Sequence, residues 1–475
     1  MLEFFNPPAA RPRLASEKID GEYRRMRLRV FLGAFFGYAA YYLVRKNLSL
    51  AAPGMMAEGL LDKESAGFAM AGIPIAYAFS KFLMGSLSDR SDARKFLVVG
   101  LVVSSIVMMC VGLVPYSSSI AVNAGILFAF MLAVGWLSGM GWPPCGRIMA
   151  HWFSQNERSF KMSLWNTSHN VGGGSLALLV TVGIAVFAAM GITESWRAAF
   201  IFPSLVALLF AAFCWWSIRD TPESCGLPPV EEYRDDYSSR KAAAGEETKI
   251  PFRRLFVDYV FGNGLLWMIA IANVFVYFVR YGISDWSPTY LHDMQIMSQN
   301  DSRFAFSLFE YAGIPGTILC GWMSSRFFNG RCAPVNVIYM LLVLVGVVLY
   351  WQSSAVASLA GGDFATTHRM VVYFALALTG FAVYGPIALI GIQALSFVPK
   401  NAAGTAAGFV GLFGYLLGDA VLSKIVVGQV AGSGLGWNAA FWMFAAACAI
   451  ATTICAVTWK KELVLMRERM GQAQR

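Results

Sequence analysis

Charge is scarce in this chain: Asp, Glu, Lys and Arg make up 14% of its 475 residues, against 57% hydrophobic residues. Soluble domains carry about 25% charged residues, and one soluble core could not bury this much apolar material, so an ordinary water-soluble protein is excluded. Histidine is rarer still. His151, His292 and His368 fall at the edges of apolar stretches, and only His169 sits in the middle of one. Eight cysteines (Cys110, Cys145, Cys214, Cys225, Cys320, Cys332, Cys448 and Cys455) are scattered without a Cys-x-x-Cys spacing. They read as small core residues, so neither a disulfide framework nor a metal site is expected. No nucleophile–base arrangement or metal-ligand spacing appears, which argues against an enzyme and calls for no cofactor. The first 29 residues hold Arg11, Arg13, Lys18, Arg24, Arg25, Arg27 and Arg29 with no apolar core among them. A cleavable signal peptide is therefore not expected, and the first apolar stretch serves as its own insertion signal.

What is abundant is apolar sequence in long runs. About 20 apolar residues cross a bilayer as a helix. Twelve such stretches are read at 29–51, 65–87, 96–115, 121–149, 160–186, 195–217, 264–291, 303–324, 334–354, 370–397, 403–430 and 436–459. The fold expected is an all-α membrane protein of twelve transmembrane helices, with spans four, seven, ten and eleven long enough to be tilted or bent. Arginine and lysine crowd one set of loops: the amino-terminal segment, Arg90, Arg94 and Lys95, the connector (Arg219, Arg234, Arg240, Lys241, Lys249, Arg253, Arg254) and the tail (Lys460, Lys461, Arg467, Arg469, Arg475). The opposite loops hold only Lys63, Arg197, Arg303 and Arg369. The positive-inside rule then places both termini and the connector in the cytoplasm. The formal charge of +9 follows from that topology, and no nucleic-acid partner is implied.

The chain repeats itself. Tyr42-Leu43-Val44-Arg45 recurs as Tyr277-Phe278-Val279-Arg280 at an offset of 235 residues, and the loop ending in Arg90 recurs as the one ending in Arg326 at 236. Two pseudo-symmetric six-helix halves are expected at 29–217 and 263–460, with a cytoplasmic segment 1–28, a connector 218–262 and a tail 461–475. The connector, with Pro228 and Pro229 followed by mixed charge, reads as a solvated linker with one surface helix. Since each chain holds both halves, a monomer in the lipid bilayer is expected.

Charged groups inside spans cost about 2.5–3.5 kcal/mol each on insertion scales, so they mark function by default. Here they are Arg45, Lys46, Lys81, His169, Arg280, Asp285, Glu310, Asp419 and Lys424. In a two-repeat transporter the substrate lies near the midplane between the halves, where Arg45 and Arg280 would face each other. The planar arginine fork suits two oxygens of a phosphate and keeps its charge at any biological pH. The alternative is that Arg280 is neutralised within its own half by Asp285 or Glu310. Lys81 and His169 could add positive charge. Tyr38, Tyr41, Tyr42, Tyr77, Trp142, Trp165, Asn166, Tyr277, Tyr384 and Tyr415 offer polar-tipped groups, of which about half would meet ligand and the rest would pack. Gly172-Gly173-Gly174 lacks the strand and lysine of a phosphate loop and reads as close helix packing, as do Gly404, Gly408, Gly411, Gly414 and Gly418.

The loop Gly85-Ser86-Leu87-Ser88-Asp89-Arg90-Ser91-Asp92-Ala93-Arg94, together with the twelve spans and the repeat, resembles the major facilitator superfamily. Within it, Phe36 to Asn47, Gly139-Met140-Gly141-Trp142-Pro143-Pro144-Cys145-Gly146-Arg147, Trp165 to Gly174 and Arg280 to Tyr290 resemble the organophosphate:phosphate antiporters, and most closely their glycerol-3-phosphate branch. The resemblance implies import of sn-glycerol 3-phosphate in exchange for inorganic phosphate across a bacterial inner membrane. It also implies that Arg45 and Arg280 bind phosphate and that Lys81, His169, Tyr38, Tyr42, Tyr77 and Asn166 line the cavity. Two departures stand out. Ser325 replaces the acid usual in the repeated loop, and the Asp419 and Lys424 pair is more like hexose-phosphate relatives, so hexose 6-phosphate or phosphoglycerate are alternative substrates.

Physical reasoning gives the expected cycle. Two guanidinium groups about 8 Å apart at an effective dielectric of about 20 repel by about 2 kcal/mol. A bound dianion cancels that repulsion, so the loaded carrier should rock more easily than the empty one. Lys46 is expected to gate one side with Asp285 or Glu310, and Asp89, Arg90 and Arg94 the other. A membrane sensor that binds an organophosphate is the reading from another class; the short tails offer such a sensor little docking surface.

Overall fold

The computed structural model describes residues 3–235, 260–398 and 403–473. Every described element is helical, as lipid demands of a chain whose backbone N–H and C=O groups find no water. In chain order the α-helices are α1 Ser16–Leu43, α2 Asn47–Ala57, α3 Lys63–Ser88, α4 Ala93–Leu113, α5 Ile120–Ser138, α6 Trp142–Trp152, α7 Gln155–Asn166, α8 Ser168–Ala189, α9 Ala198–Ser217 and the short α10 Val230–Tyr233. There follow α11 Gly264–Asp293, α12 Gln299–Phe328, α13 Ala333–Trp351, α14 Ser353–Ala360, α15 Phe364–Ser396, α16 Ala403–Phe413, a π-helical stretch Gly414–Val426, α17 Val427–Gly432 and α18 Gly436–Ala473. Among the described residues, ten spans are long and apolar enough to cross a membrane. They match the third to twelfth stretches read from the sequence, while the first is divided between α1 and α2 and the second is covered by α3. Most of the connector, residues 236–259, lies outside the described residues.

Side chains close the helix ends where backbone donors would otherwise be orphaned. The Asp92 carboxylate accepts from the Arg94 and Lys95 amides, Asn263 from Leu265 and Leu266, and Asp363 from Thr366. Three expected spans are interrupted. The first breaks at 44–46, between α1 and α2, the fourth at 139–141, and the fifth at Thr167. At the first break the Asn47 Nδ2 donates to the Leu43 carbonyl at 2.9 Å and reaches across to the Ala199 carbonyl of α9 at 2.7 Å. The fourth is set by Gly139 and Gly141 before the Pro143-Pro144 pair, which can begin a helix but not continue one.

The helices group into two compact units, Met1–Ala51 with Ile75–Tyr116 and Ile126–Thr248, and Ala52–Pro74 with Ser117–Gly125 and Lys249–Arg475. In the first, α1 packs on α8 and α9, and α4 on α9. In the second, α11 packs on the π-helical stretch, α12 on α15, and α13 on α15 and α18; Lys63 of its first segment pairs with Asp293 at 2.8 Å.

The repeat is visible at atomic detail. A Cβ added to Gly172 would lie 2.1 Å from the Ala39 carbonyl oxygen and 2.9 Å from the Tyr42 Cβ. One added to Gly418 would lie 2.4 Å from the Val274 oxygen and 2.9 Å from the Tyr277 Cβ. Val274 and Tyr277 stand 235 residues after Ala39 and Tyr42, so each unit uses one glycine to seat a second helix on the backbone of the helix that leads to its arginine. Gly411, by contrast, faces open space with nothing within 4 Å. Gly172→Ala is therefore expected to cost about 1–3 kcal/mol through overpacking against immobile backbone, read as a lower apparent unfolding temperature in detergent. Gly411→Ala should be neutral or stabilising, by up to about 1 kcal/mol.

Candidate functional site

In the first unit the break between α1 and α2 holds both Arg45 and Lys46, buried at 8% and 6% exposure. A guanidinium in such a place needs partners for its charge. Arg45 lies 4.1 Å from the Tyr77 ring centroid and 5.4 Å from that of Tyr42, and desolvated cation–π contacts are worth up to about 2 kcal/mol each. From there a wall of rings continues. Tyr42 meets His169 at 5.6 Å and Tyr38 at 5.6 Å, Tyr38 meets Trp165 at 4.8 Å, and Trp165 meets Trp142 at 6.3 Å. Lys81 Nζ lies 5.9 Å from the Trp142 ring. The wall is anchored by the buried Trp165, whose Nε1 donates to the Ala34 carbonyl at 3.1 Å. His169 opens α8 just past the Thr167 break, with Nδ1 against the carbonyl of Asn166. The unit thus brings together Tyr38, Tyr42, Arg45, Tyr77, Lys81, Trp142, Trp165, Asn166 and His169.

The second unit builds a counterpart on a continuous helix. Arg280, in mid-α11 and 3% exposed, lies 4.6 Å from the Tyr281 ring and 4.4 Å from the Tyr384 ring. Its Nη2 donates to the Tyr384 hydroxyl at 3.3 Å, and that hydroxyl donates to Glu310. Glu310 is thus linked to Arg280 through a phenol. Asp285 has a different cation: it pairs with Lys424, and the Ser284 hydroxyl donates to it at 2.7 Å. Lys424 also lies 3.4 Å from Asp419. Residues five apart share a face in a helix with i→i+5 hydrogen bonds, and Asp419 and Lys424 are five apart within the π-helical stretch. Tyr277 meets Tyr415 at 5.0 Å, the same contact that Tyr42 makes with His169.

Two residues escaped the sequence reading. Tyr281 stands between two cations, with Arg280 at 4.6 Å and Lys424 at 5.5 Å from its ring. Its signal was available, since it occupies the repeat position of Lys46. Asp220 is the other. It takes paired bonds from Arg147, at 3.2 and 3.0 Å, and the Ala93 amide at 2.9 Å. It ties α6 to the start of α4, while Arg147 also donates to the Asp89 carbonyl. Of the expected gating groups in that loop, Asp89 and Arg90 are exposed. Arg94 lies over the Trp215 ring at 4.7 Å, with Asp92 at 3.9 Å.

Residues 34–423 match the family model described as Major Facilitator Superfamily. The chain belongs to that superfamily. It is 46% identical over 459 residues to the glycerol-3-phosphate transporter of Bacillus subtilis (strain 168), with 97% of this chain and 98% of that protein covered. The glycerol-3-phosphate transporter of Haemophilus influenzae is 42% identical over 448 residues, with 92% of each chain covered. Among solved structures, a bacterial homolog to the human lysosomal transporter Spinster has the same fold at a TM-score of 0.66 and 15% identity, over 94% of this chain and 98% of that one.

In this superfamily member, the buried Lys424 shared by two carboxylates has a testable cost. Removing one partner of a buried ion network typically costs about 3–5 kcal/mol. Lys424→Ala is expected to cut the yield of folded, monodisperse protein in size-exclusion chromatography, and adding Asp419→Asn to restore part of it.

Proposed function

We propose that this carrier imports sn-glycerol 3-phosphate in exchange for inorganic phosphate by alternating access, as a monomer in a bacterial inner membrane with both termini cytoplasmic. The observation that carries the reading is the matched pair of buried arginines, Arg45 and Arg280, each braced by two tyrosine rings at the same position of the repeat. End-to-end identity to two glycerol-3-phosphate transporters supports the choice of substrate. The uneven spread of Arg and Lys between alternate loops supports the orientation.

The ring faces offset part of the desolvation of each guanidinium, and the planar fork of each remains suited to the oxygens of a phosphate. An arginine fork offers phosphate charge-assisted hydrogen bonds, each worth about 1.5–3 kcal/mol. Tyr38, Tyr42, Tyr77, Trp165, Trp142, Asn166, Tyr277 and Tyr384 provide donors and faces for the remaining oxygens and the carbon skeleton. His169 and Lys81 adjust the local positive charge. Lys46, Asp285 and Glu310 contribute to gating on one side, and Asp89, Arg90 and Arg94 on the other. Breaking a gating pair shifts the balance between states, so rate should suffer more than affinity.

Proteoliposomes preloaded with phosphate test the reading. Labelled phosphate should exchange rapidly and leave slowly into anion-free medium, and external glycerol 3-phosphate should compete better than glucose 6-phosphate or 3-phosphoglycerate. Arg45→Lys and Arg280→Lys keep the charge but lose the fork, and each is expected to lower exchange about 10- to 100-fold. Phosphate efflux as fast as exchange would overturn the antiport mechanism. Competition led by another ester would move the substrate.

A further inference from the structure

Away from the buried arginines, a second group of cations gathers at the connector-side ends of the first, third and sixth spans. Trp215 and Trp216 close α9 and are 42% and 57% exposed, as expected of rings at a lipid headgroup boundary. Arginines flank them: Arg29 from α1 lies 3.9 Å from the Trp216 ring, and Arg94 from the start of α4 lies 4.7 Å from the Trp215 ring. Arg219, just beyond α9, donates to the Trp216 and Ile218 carbonyls at 3.0 and 2.7 Å, and Arg29 donates to the same Trp216 carbonyl. Two guanidinium groups therefore share one oxygen.

The surroundings balance this charge only in part, with Glu22 acting on Arg29 and Asp92 lying near Arg94. The helix C-terminus that receives Arg29 and Arg219 is equivalent to about half a negative charge. Asp92, 3.9 Å from Arg94, already accepts the Arg94 and Lys95 amides at 2.9 and 3.3 Å. Arg29 Nε is buried without a hydrogen-bond acceptor. Burial, and then the nearby charges of Arg29 and Arg94, push the Arg219 pKa down, as a crowd of cations does. A surplus of forked donors beside two exposed indoles is complementary to a phosphodiester whose acyl chains lie along the rings.

We propose that Arg29, Arg94 and Arg219 bind the phosphodiester headgroup of an anionic phospholipid, with its acyl chains against Trp215 and Trp216. The lipid would tie α1, α4 and α9 together at the membrane boundary. Apart from Arg94, which is also a proposed gating group, the site lies outside the transport residues, and it stands whether or not glycerol 3-phosphate is the substrate.

Fluorescence quenching of the full chain in phosphatidylcholine liposomes tests this, with brominated-chain phosphatidylglycerol or brominated-chain phosphatidylcholine as quencher. The signal of interest is the part lost in a Trp215→Phe/Trp216→Phe variant. Quenching is expected to favour phosphatidylglycerol by about fivefold per arginine engaged. The preference should fall toward unity in Arg29→Gln/Arg219→Gln, and it should weaken in the unaltered protein as salt is raised. The salt arm remains informative if the double variant does not fold. Equal quenching by the two lipids would overturn the proposal, as would a preference unchanged in a folded Arg29→Gln/Arg219→Gln protein. Loss of the preference on adding inorganic phosphate at constant ionic strength would assign the cluster to a soluble anion and equally overturn it.

Discussion

An arginine cannot shed its charge, and Arg45 and Arg280 lie where hydrocarbon should be. The local architecture of both units answers that constraint. Ring faces lie against both guanidinium groups, which offsets part of the cost of taking each charge out of water. Carboxylates are close at hand in the second unit: the Tyr384 hydroxyl links Arg280 to Glu310, and Asp285 pairs with Lys424.

The two units reach this end by different routes. Arg45 lies in the break of a helix, where Asn47 covers the Leu43 carbonyl. Arg280 is carried on an unbroken one, with Tyr281 in the position that Lys46 holds in the first unit. His169 and Tyr415 likewise fill equivalent contacts against Tyr42 and Tyr277 with different chemistry. The first unit thus gathers more cations around its arginine, and the second pairs its cations with carboxylates.

Much of this was legible in the sequence. The apolar runs gave the spans to within a few residues, because twenty apolar residues have few other fates. The repeat pointed to both arginines because their charge has no cheap place in a bilayer. What stayed hidden were features that depend on backbone departures from the α-helix. Span one reads as a continuous apolar run, yet it breaks at 44–46, since nothing in hydropathy reports a repair by a residue such as Asn47. At α-helical spacing Asp419 and Lys424 would point apart; the π-helical stretch turns them to one face, and no periodicity in the residues announces it. Asp220 escaped for a simpler reason: an acid at the end of a span looks like ordinary solvent-facing charge until Arg147 and the Ala93 amide are seen to converge on it.

The glycine seats at Gly172 and Gly418 carry a mechanical implication. A helix resting on another helix's carbonyl oxygen, with no side chain between them, has almost no slack to slide or roll. The seats fix α1 to α8 and α11 to the π-helical stretch, so flexibility within each unit must reside elsewhere, as at the break at 44–46. Side chains elsewhere on those helices can then be exchanged for others without loosening the pair.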